Sequence, residues 1–267
     1  MNIRFDNQVV VVTGGAMGIG EACARVFAES GAKVAILDAN GEAGAKTAAS
    51  LSNARSYACN VGDTHSVSAA IDSVAKDFGG IHVLVSNAGI QRYGDAVSTS
   101  EELWSEVMRT NLDGAFYASK HAVPHMIKSG GGSIVVIGSV QTFTAVGGST
   151  AYVTAKHGLL GLVRCLALDF AKNNIRANCV CPGAIDTPML RWAANLDPNP
   201  EKVIATCNRM HVLGRIGRAE EVANAVAFLA SAQASFITGA SLLVDGGMLV
   251  PTGGMGFQEG GTGAAAR

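Results

Sequence analysis

Val9-Val10-Val11-Val12-Thr13-Gly14-Gly15-Ala16-Met17-Gly18-Ile19-Gly20 is the stretch that decides the fold. Four consecutive valines favour an extended chain, because β-branched side chains pack well on a pleated surface. The glycines that follow are spaced G-x-x-x-G-x-G, which permits a sharp turn. A helical pattern then runs over residues 20–30. A strand apolar on both faces, followed by such a turn and a helix, belongs in a parallel sheet covered by helices. The turn lets backbone approach a ligand closely. The helix start adds unpaired N–H groups and the positive end of a dipole, which together suit a phosphate.

The alternation repeats outward from this stretch. Further strands are expected at residues 33–37, 54–58, 81–85, 133–137, 176–180 and 242–244. Helices are expected at 41–52, 63–78, 100–108, 111–129 and 152–173. Val67, Ile71, Val74 and Phe78 recur at helical spacing, and Thr99 and Glu102 have the spacing of a capping box. The expected fold class is α/β: a Rossmann-like doubly wound sheet of about seven mostly parallel strands, helices on both faces. Residues 1–250 form a single domain in this reading. Two stretches read as irregular, the proline-rich 182–199 and the tail 251–267 with its six glycines.

Composition narrows the function. The 267 residues are 48% hydrophobic and 15% charged, with formal net charge -1. No basic stripe points to nucleic acid or an anionic membrane. No apolar run approaches the roughly 18 residues that span a bilayer. Residues 1–6 lack the apolar core of a leader. The six cysteines show no C-x-x-C spacing and read as reduced core thiols, so the cytoplasm is the expected location. His121 and His125 are four apart but have Pro124 between them, and no H-E-x-x-H occurs, so no metal site is expected. No serine sits in G-x-S-x-G, and the G-x-x-x-x-G-K-[ST] loop is missing, which sets aside a serine hydrolase and a nucleoside triphosphatase.

Asp38 ends the second expected strand, 18 residues after Gly20. A carboxylate there accepts hydrogen bonds from ribose hydroxyls and repels a 2′-phosphate. No Arg or Lys stands at Ala16, Met17, Ala39 or Asn40, so NAD is favoured over NADP. Tyr152 and Lys156 share one face of an expected helix, where an ammonium beside a phenol would lower the phenol's pKa. A tyrosine so tuned can take or return an alcohol proton. Ser139 lies just past the fifth strand, at the edge where open α/β sheets bind ligands.

The ordered set of Thr13–Gly20, Asn87-Ala88-Gly89, Asn111, Ser139, Tyr152-Val-Thr-Ala-Lys156, Pro182-Gly183 and Thr187 resembles the short-chain dehydrogenase/reductase family. The likeness is collinear over residues 5–250. It implies a catalytic set of Asn111, Ser139, Tyr152 and Lys156. Ser139 would polarise the substrate oxygen, Lys156 would also hold the nicotinamide ribose, and Asn111 would hold a water in a proton relay. It also implies cofactor contacts from Gly14, Gly18, Ile19, Gly20, Asp38, Asn60, Val61, Asn87, Ala88, Gly89, Pro182, Gly183, Ile185 and Thr187. Asn60 departs from the Asp that many relatives carry.

The resemblance places a substrate lid at about residues 184–212. Ser139, Gln141, Tyr152, Met189 and Trp192 are the expected substrate contacts. Thr142, Asn195 and His211 are further hydrogen-bonding candidates, and Arg92 or Arg191 could pair with a carboxylate. The reading is an NAD-dependent dehydrogenase of a polyol, sugar or sugar acid, assembled as a homotetramer through helices 111–129 and 152–173. Its alternatives are an NADPH-dependent 3-oxoacyl (acyl carrier protein) reductase and, more remotely, a non-catalytic NAD-binding sensor or scaffold. The tail 251–267 is expected either to be a loose end or to pack across a subunit contact.

Overall fold

A computed structural model describes residues 3–250 of the chain, and the expectations for the tail lie outside the described residues. The main sheet is built from β1 (Val9–Thr13), β2 (Lys33–Asp38), β3 (Ala54–Ala58), β4 (Val83–Ser86), β5 (Gly132–Ile137), β6 (Ile175–Pro182) and, last in the chain, Ser241–Val244. A separate two-residue pair comes between them, β7 (Ile185–Asp186) with β8 (Gly217–Arg218), so Ser241–Val244 is β9. The sheet order is β3-β2-β1-β4-β5-β6-β9, and every neighbouring pair is parallel.

The valine run explains why both faces are covered. Side chains alternate across a strand, so successive valines enter different cores. Val9 and Val11 join Ala35, Leu37 and Leu84 on one face. Helices α3 (Thr64–Phe78), α5 (Gly114–Lys128) and α6 (Thr150–Phe170) cover that face, through Ile71, Met126 and Leu159 among others. Val10 and Val12 join Val34, Ile36 and Val83 on the other, under α1 (Gly18–Glu29) and α9 (Ala219–Ala230). Full burial of such a side chain contributes roughly 1.5–3 kcal/mol. The crossovers leave β1 toward β2 and β4 toward β5 in opposite directions. The sheet therefore switches between β1 and β4, and a crevice opens at their carboxyl ends.

The structure departs from the expected elements in places that matter for the site. Ser100, not Thr99, caps α4 (Glu101–Met108), its hydroxyl accepting the Leu103 N–H. The Thr99 hydroxyl instead donates to the Asp95 carbonyl. Helices α4 and α5 are not separate, because the π turn Arg109–Asp113 joins them and places Asn111 inside it. The proline-rich stretch contains one helix and leads directly into another. Pro188 and Pro200 stand in the first turns of α7 (Pro188–Ala194) and α8 (Pro200–Met210), behind caps from Thr187 and Asn199. Proline suits that position because its missing N–H has no partner there anyway. Helix α2 (Gly41–Ala49) completes the set.

One side chain closes the far end of α9. Arg176 of β6 donates to the carbonyls of Leu229, Ala230 and Ser231, and to that of Ile237. The last carbonyls of a helix have no partner within it, so a cation there satisfies several at once. Replacing Arg176 with Met is expected to lower unfolding stability by ~2–4 kcal/mol, since partly buried carbonyls lose a charged donor. Urea denaturation of the two proteins checks this.

Candidate active site

Two cavities meet at the carboxyl edge of the sheet. The larger, about 380 Å³, runs from Asp38 past Gly14, Gly18 and Ile19 to Thr187. The other, about 260 Å³, holds Ser139, Tyr152 and Lys156. Ile19, Asn87, Gly89, Thr187 and Met189 belong to both.

The glycine turn is shaped for the larger cavity. Gly14 and Gly18 have φ of 63° and 59°, in the left-handed region that favours glycine. A Cβ on Gly14 would sit 2.8 Å from Ala88 Cα, and one on Gly20 would collide with the Gly14 carbonyl oxygen. Thr13 Oγ1 accepts from the N–H groups of Asn87 and Ala88, while Asn87 Nδ2 donates to the carbonyls of Thr13 and Gly14. These four bonds stitch the ends of β1 and β4 together. Met17 precedes α1 with no side-chain cap, so the helix starts at the cavity with N–H groups available to an anion.

Asp38 stands at the opposite end. Its carboxylate accepts from the N–H of Ala16 and of Asn40, which fixes it at the mouth. Asn60 and Val61 also line this cavity, with Asn60 Oδ1 turned back onto the Gly62 N–H. Among the described residues, Asp38 and Glu106 are its charged lining groups and no Lys or Arg lines it. A cleft with an uncapped helix start in the middle and a carboxylate at one end fits a dinucleotide.

The smaller cavity brings together the expected reacting groups. Ser139 begins a short turn after β5, where its Oγ accepts the Gln141 N–H and Thr142 Oγ1 accepts the Ser139 N–H. Thr142 therefore positions Ser139 rather than reaching a ligand. Tyr152 lies in the first turn of α6 and is 8% exposed. Lys156, one turn on, donates from Nζ to the Ile137 carbonyl at 2.8 Å. Its ammonium stands 5.5 Å from the centroid of the Tyr152 ring. The expected lowering of Tyr152 by Lys156 is overridden. Burial pushes the phenol up to about 12, opposed by a hydrogen bond with Ser139. Burial brings Lys156 down to about 8, opposed by Cys179 and Cys181.

Asn111 is buried, and its side-chain hydrogen bonds go to neither Lys156 nor Tyr152. Its Oδ1 accepts the Ile90 N–H at 2.7 Å, and its Nδ2 donates to the Ile90 carbonyl at 2.8 Å. It thus holds the 87–90 loop, a job its position in the sequence did not reveal. Pro182, Gly183, Ile185 and Thr187 all line the smaller cavity, Thr187 through its place as the cap of α7.

Among the expected substrate contacts, Gln141 and Met189 line the cavity and Trp192 does not. Asn195 and Arg191 lie outside it as well. Arg191 forms a two-pronged pair with Asp186, and Arg92 pairs with Glu106. His211 is buried with both ring nitrogens committed, Nδ1 donating to the Cys207 carbonyl and Nε2 accepting the Ala184 N–H. It ties the end of α8 to the strand end beside Gly183. Tyr93, Cys207, Met210 and Met248 line the cavity and were not anticipated. Tyr93 follows the Asn-Ala-Gly turn by four residues, which was the available signal. His121 and His125 bond Thr64 and Asp72 of α3, and no metal-binding cluster occurs among the described residues.

The buried lysine has a measurable consequence. Its ordinary value is 10.5, and the folded value is about 8. Below about 8 both states are charged and the folded state bears the whole desolvation cost. Between about 8 and 10.5 the unfolded chain binds more protons, so stability rises with pH across that window. Lys156→Met is expected to raise the melting temperature at pH 7 by about 3–8 °C, the lost bond to Ile137 offsetting part of the gain. It should also flatten the rise with pH, and calorimetry at several pH values checks both.

The comparisons agree with this geometry. A family model described as Enoyl-(Acyl carrier protein) reductase matches residues 14–249. The chain is 39% identical over 243 residues to a meso-2,3-butanediol dehydrogenase of Serratia marcescens, covering 90% of this chain and 94% of that one. It is 38% identical over 242 residues to the 3-oxoacyl-(acyl-carrier-protein) reductase FabG of Escherichia coli, covering 90% and 96%. The ligand-free structure of Thermoplasma acidophilum aldohexose dehydrogenase superposes with a TM-score of 0.87 at 44% identity, covering 93% of this chain and 96% of that one. With a family model matched over most of its length, relatives of 38–39% identity and a solved structure of the same fold at 44%, this chain belongs to the short-chain dehydrogenase/reductase family.

Proposed function

We propose that this chain is an NAD-dependent dehydrogenase acting on a secondary alcohol or its ketone, with a small neutral polyol or sugar as substrate. The observation that carries the reading is the convergence of Ser139, Tyr152 and Lys156 in the smaller cavity, which shares Ile19, Asn87, Gly89, Thr187 and Met189 with the larger one.

When bound, the nicotinamide supplies the hydride acceptor or donor. The protein's own groups do the rest. Ser139 Oγ and Tyr152 Oη bind the substrate oxygen and orient it. In oxidation Tyr152 Oη takes the hydroxyl proton as the carbon is oxidised, and in reduction it returns it. A phenol held up near 12 is protonated at neutral pH, so reduction starts with the acid in place and oxidation speeds up as pH rises. Lys156 stands over the phenol ring, where its positive charge favours the phenolate. An ammonium has three donors and the Ile137 carbonyl takes one, leaving others for ribose hydroxyls. Asn111 acts in this reading by fixing the 87–90 loop beside the cofactor.

The cavity walls support a neutral substrate. Gln141 Oε1 is buried with no hydrogen-bond partner among the described residues, and it lines the cavity beside Ser139. A second substrate hydroxyl would satisfy it, and leaving such an acceptor unpaired costs ~1–3 kcal/mol. Arg92 and Arg191 are engaged elsewhere, which argues against a sugar acid. Met189, Met210 and Met248 supply an apolar remainder. NAD is preferred over NADP because Asp38 and Glu106 face the nucleotide cavity without a cation to hold a 2′-phosphate. The same feature weighs against the 3-oxoacyl reductase reading, which the similarity to FabG would otherwise favour.

The test is a panel of vicinal diols, sugars and simple secondary alcohols, read by absorbance with NAD and NADP in parallel. NAD is expected to exceed NADP in kcat/KM by at least about tenfold, a difference of ~1.4 kcal/mol. Tyr152→Phe should lower kcat by ~10²–10⁴-fold while NAD binding, followed by fluorescence, stays close to wild type. Full turnover in that variant would sink the proton-transfer assignment, and faster reaction with NADP would overturn the reading of Asp38.

We also infer a homotetramer, in the cytoplasm that the six free cysteines suit. Phe116 of α5 and Leu168 of α6 are exposed on helices that cover one side of the sheet, and Leu242 and Leu243 leave apolar surface exposed along the edge strand β9. Two separate apolar faces support two kinds of two-fold contact, as a tetramer of dihedral symmetry needs. Light scattering should return four times the chain mass, and Leu168→Glu should lower it. A monomer at micromolar concentration would refute the assembly.

A further inference from the structure

The lid segment is tied to the body of the protein by a contact that the proposed chemistry does not use. Trp192 of α7 stacks on Tyr93 of the loop after β4, with centroids 6.2 Å apart and planes at 12°. The Arg92 guanidinium lies 5.8 Å from the Trp192 ring centroid, and Arg92 is anchored to Glu106 of α4 at 2.7 Å. Tyr93 and Gln91 form one wall of the smaller cavity, and Met189, Leu190 and Ala193 of α7 form the facing one. Trp192 is itself outside the lining and 41% exposed, so it is placed as a bridge across the outer rim. Aromatic pairs of this kind attract beyond the area they bury, and a cation over the ring adds to that.

We propose that the Arg92–Trp192–Tyr93 clasp closes the rim of the substrate cavity and makes Trp192 and Tyr93 size-determining residues, which restrict the enzyme to small free alcohols and exclude substrates carried on a long arm. This rests on the substrate reading above. The physical reason is the span of the contact. A ligand confined to about 260 Å³ fits beneath the stacked rings, whereas an extended chain must part them. The stacking is available to any aromatic at residue 192, so Trp192→Phe should keep it and Trp192→Ala should lose it.

Cys207 provides a probe that needs no turnover. It lines the same cavity from α8, is half-buried, and has Cys165 of α6, which lies outside that cavity, as an internal control. Labelling of the full chain by iodoacetamide and by the much bulkier N-pyrenylmaleimide is followed by peptide mass spectrometry. In Trp192→Ala and Tyr93→Ala the Cys207 rate with the bulky reagent, relative to the small one, is expected to rise at least about tenfold. The Cys165 ratio should stay fixed, and Trp192→Phe should resemble wild type. In parallel, kcat/KM is measured for vicinal diols lengthening from butanediol to octanediol. The wild type should favour the short diols, and Trp192→Ala should relax that preference by about tenfold or more, since each misfit methylene is worth ~10-fold or above. An unchanged Cys207 labelling ratio in both alanine variants would overturn the clasp. If labelling shifts but no diol reacts, the substrate reading fails while the clasp stands.

Discussion

The close approach of Gly14 to Ala88 is the constraint on which the rest of the site depends. These residues follow the two strands where the sheet changes direction, and no side chain fits between their backbones. Thr13 and Asn87 convert that proximity into four hydrogen bonds. The valine run beneath supplies the rigidity, because its side chains are locked into two separate cores. A loop pinned at this point can present Ile90 to Asn111, and Asn111 in turn brings the π turn of the long helix against the crevice. The nucleotide cavity and the reacting groups are thus positioned by one chain of contacts that begins at the glycine turn.

Burial then sets the chemistry. Tyr152 and Lys156 are placed in a region where charge is costly, and the two respond in opposite senses, the phenol upward and the ammonium downward. Each is driven toward its neutral form. A pair so arranged has a stability cost in the folded protein, and the cost falls on the lysine at neutral pH. Stability and reactivity therefore conflict at the same residue, as is common where a site is kept dry. The carbonyl of Ile137 softens the conflict without removing it, since it offers the ammonium a dipole and not a counter-charge.

Much of this was legible in the sequence, and the reasons differ from residue to residue. β1 was read within its observed bounds because its apolar period and its glycine boundary agree. Tyr152 and Lys156 were legible as a pair through helical spacing alone. The tuning of that pair was not, because it depends on how deeply α6 is covered. Asn111 was legible as a position but not as a clamp on Ile90, since that contact spans 21 residues and arises from the π turn. Residues 182–199 read as irregular, whereas Pro188 within them and Pro200 just beyond them begin helices, a position that suits proline. His211 looked like a hydrogen-bonding candidate for substrate, and only three-dimensional packing shows that both its nitrogens are occupied.

The same distinction bears on what separates this protein from its relatives. In the proposed mechanism the glycine turn, Ser139, Tyr152 and Lys156 serve a reaction shared by many alcohols, so they carry little information about which one. Selectivity has to come from groups that meet the remainder of the substrate. Two such groups stand out on physical grounds, the unpaired Gln141 carbonyl inside the cavity and the aromatic contact across its rim. The first asks for a hydroxyl donor, and the second limits length. Neither belongs to a sequence motif, and both arise where elements distant in the chain come together: Gln141 after β5, Tyr93 after β4 and Trp192 on α7. A substrate with a second hydroxyl close to the first and little beyond it satisfies both conditions, whereas a long acyl chain satisfies neither.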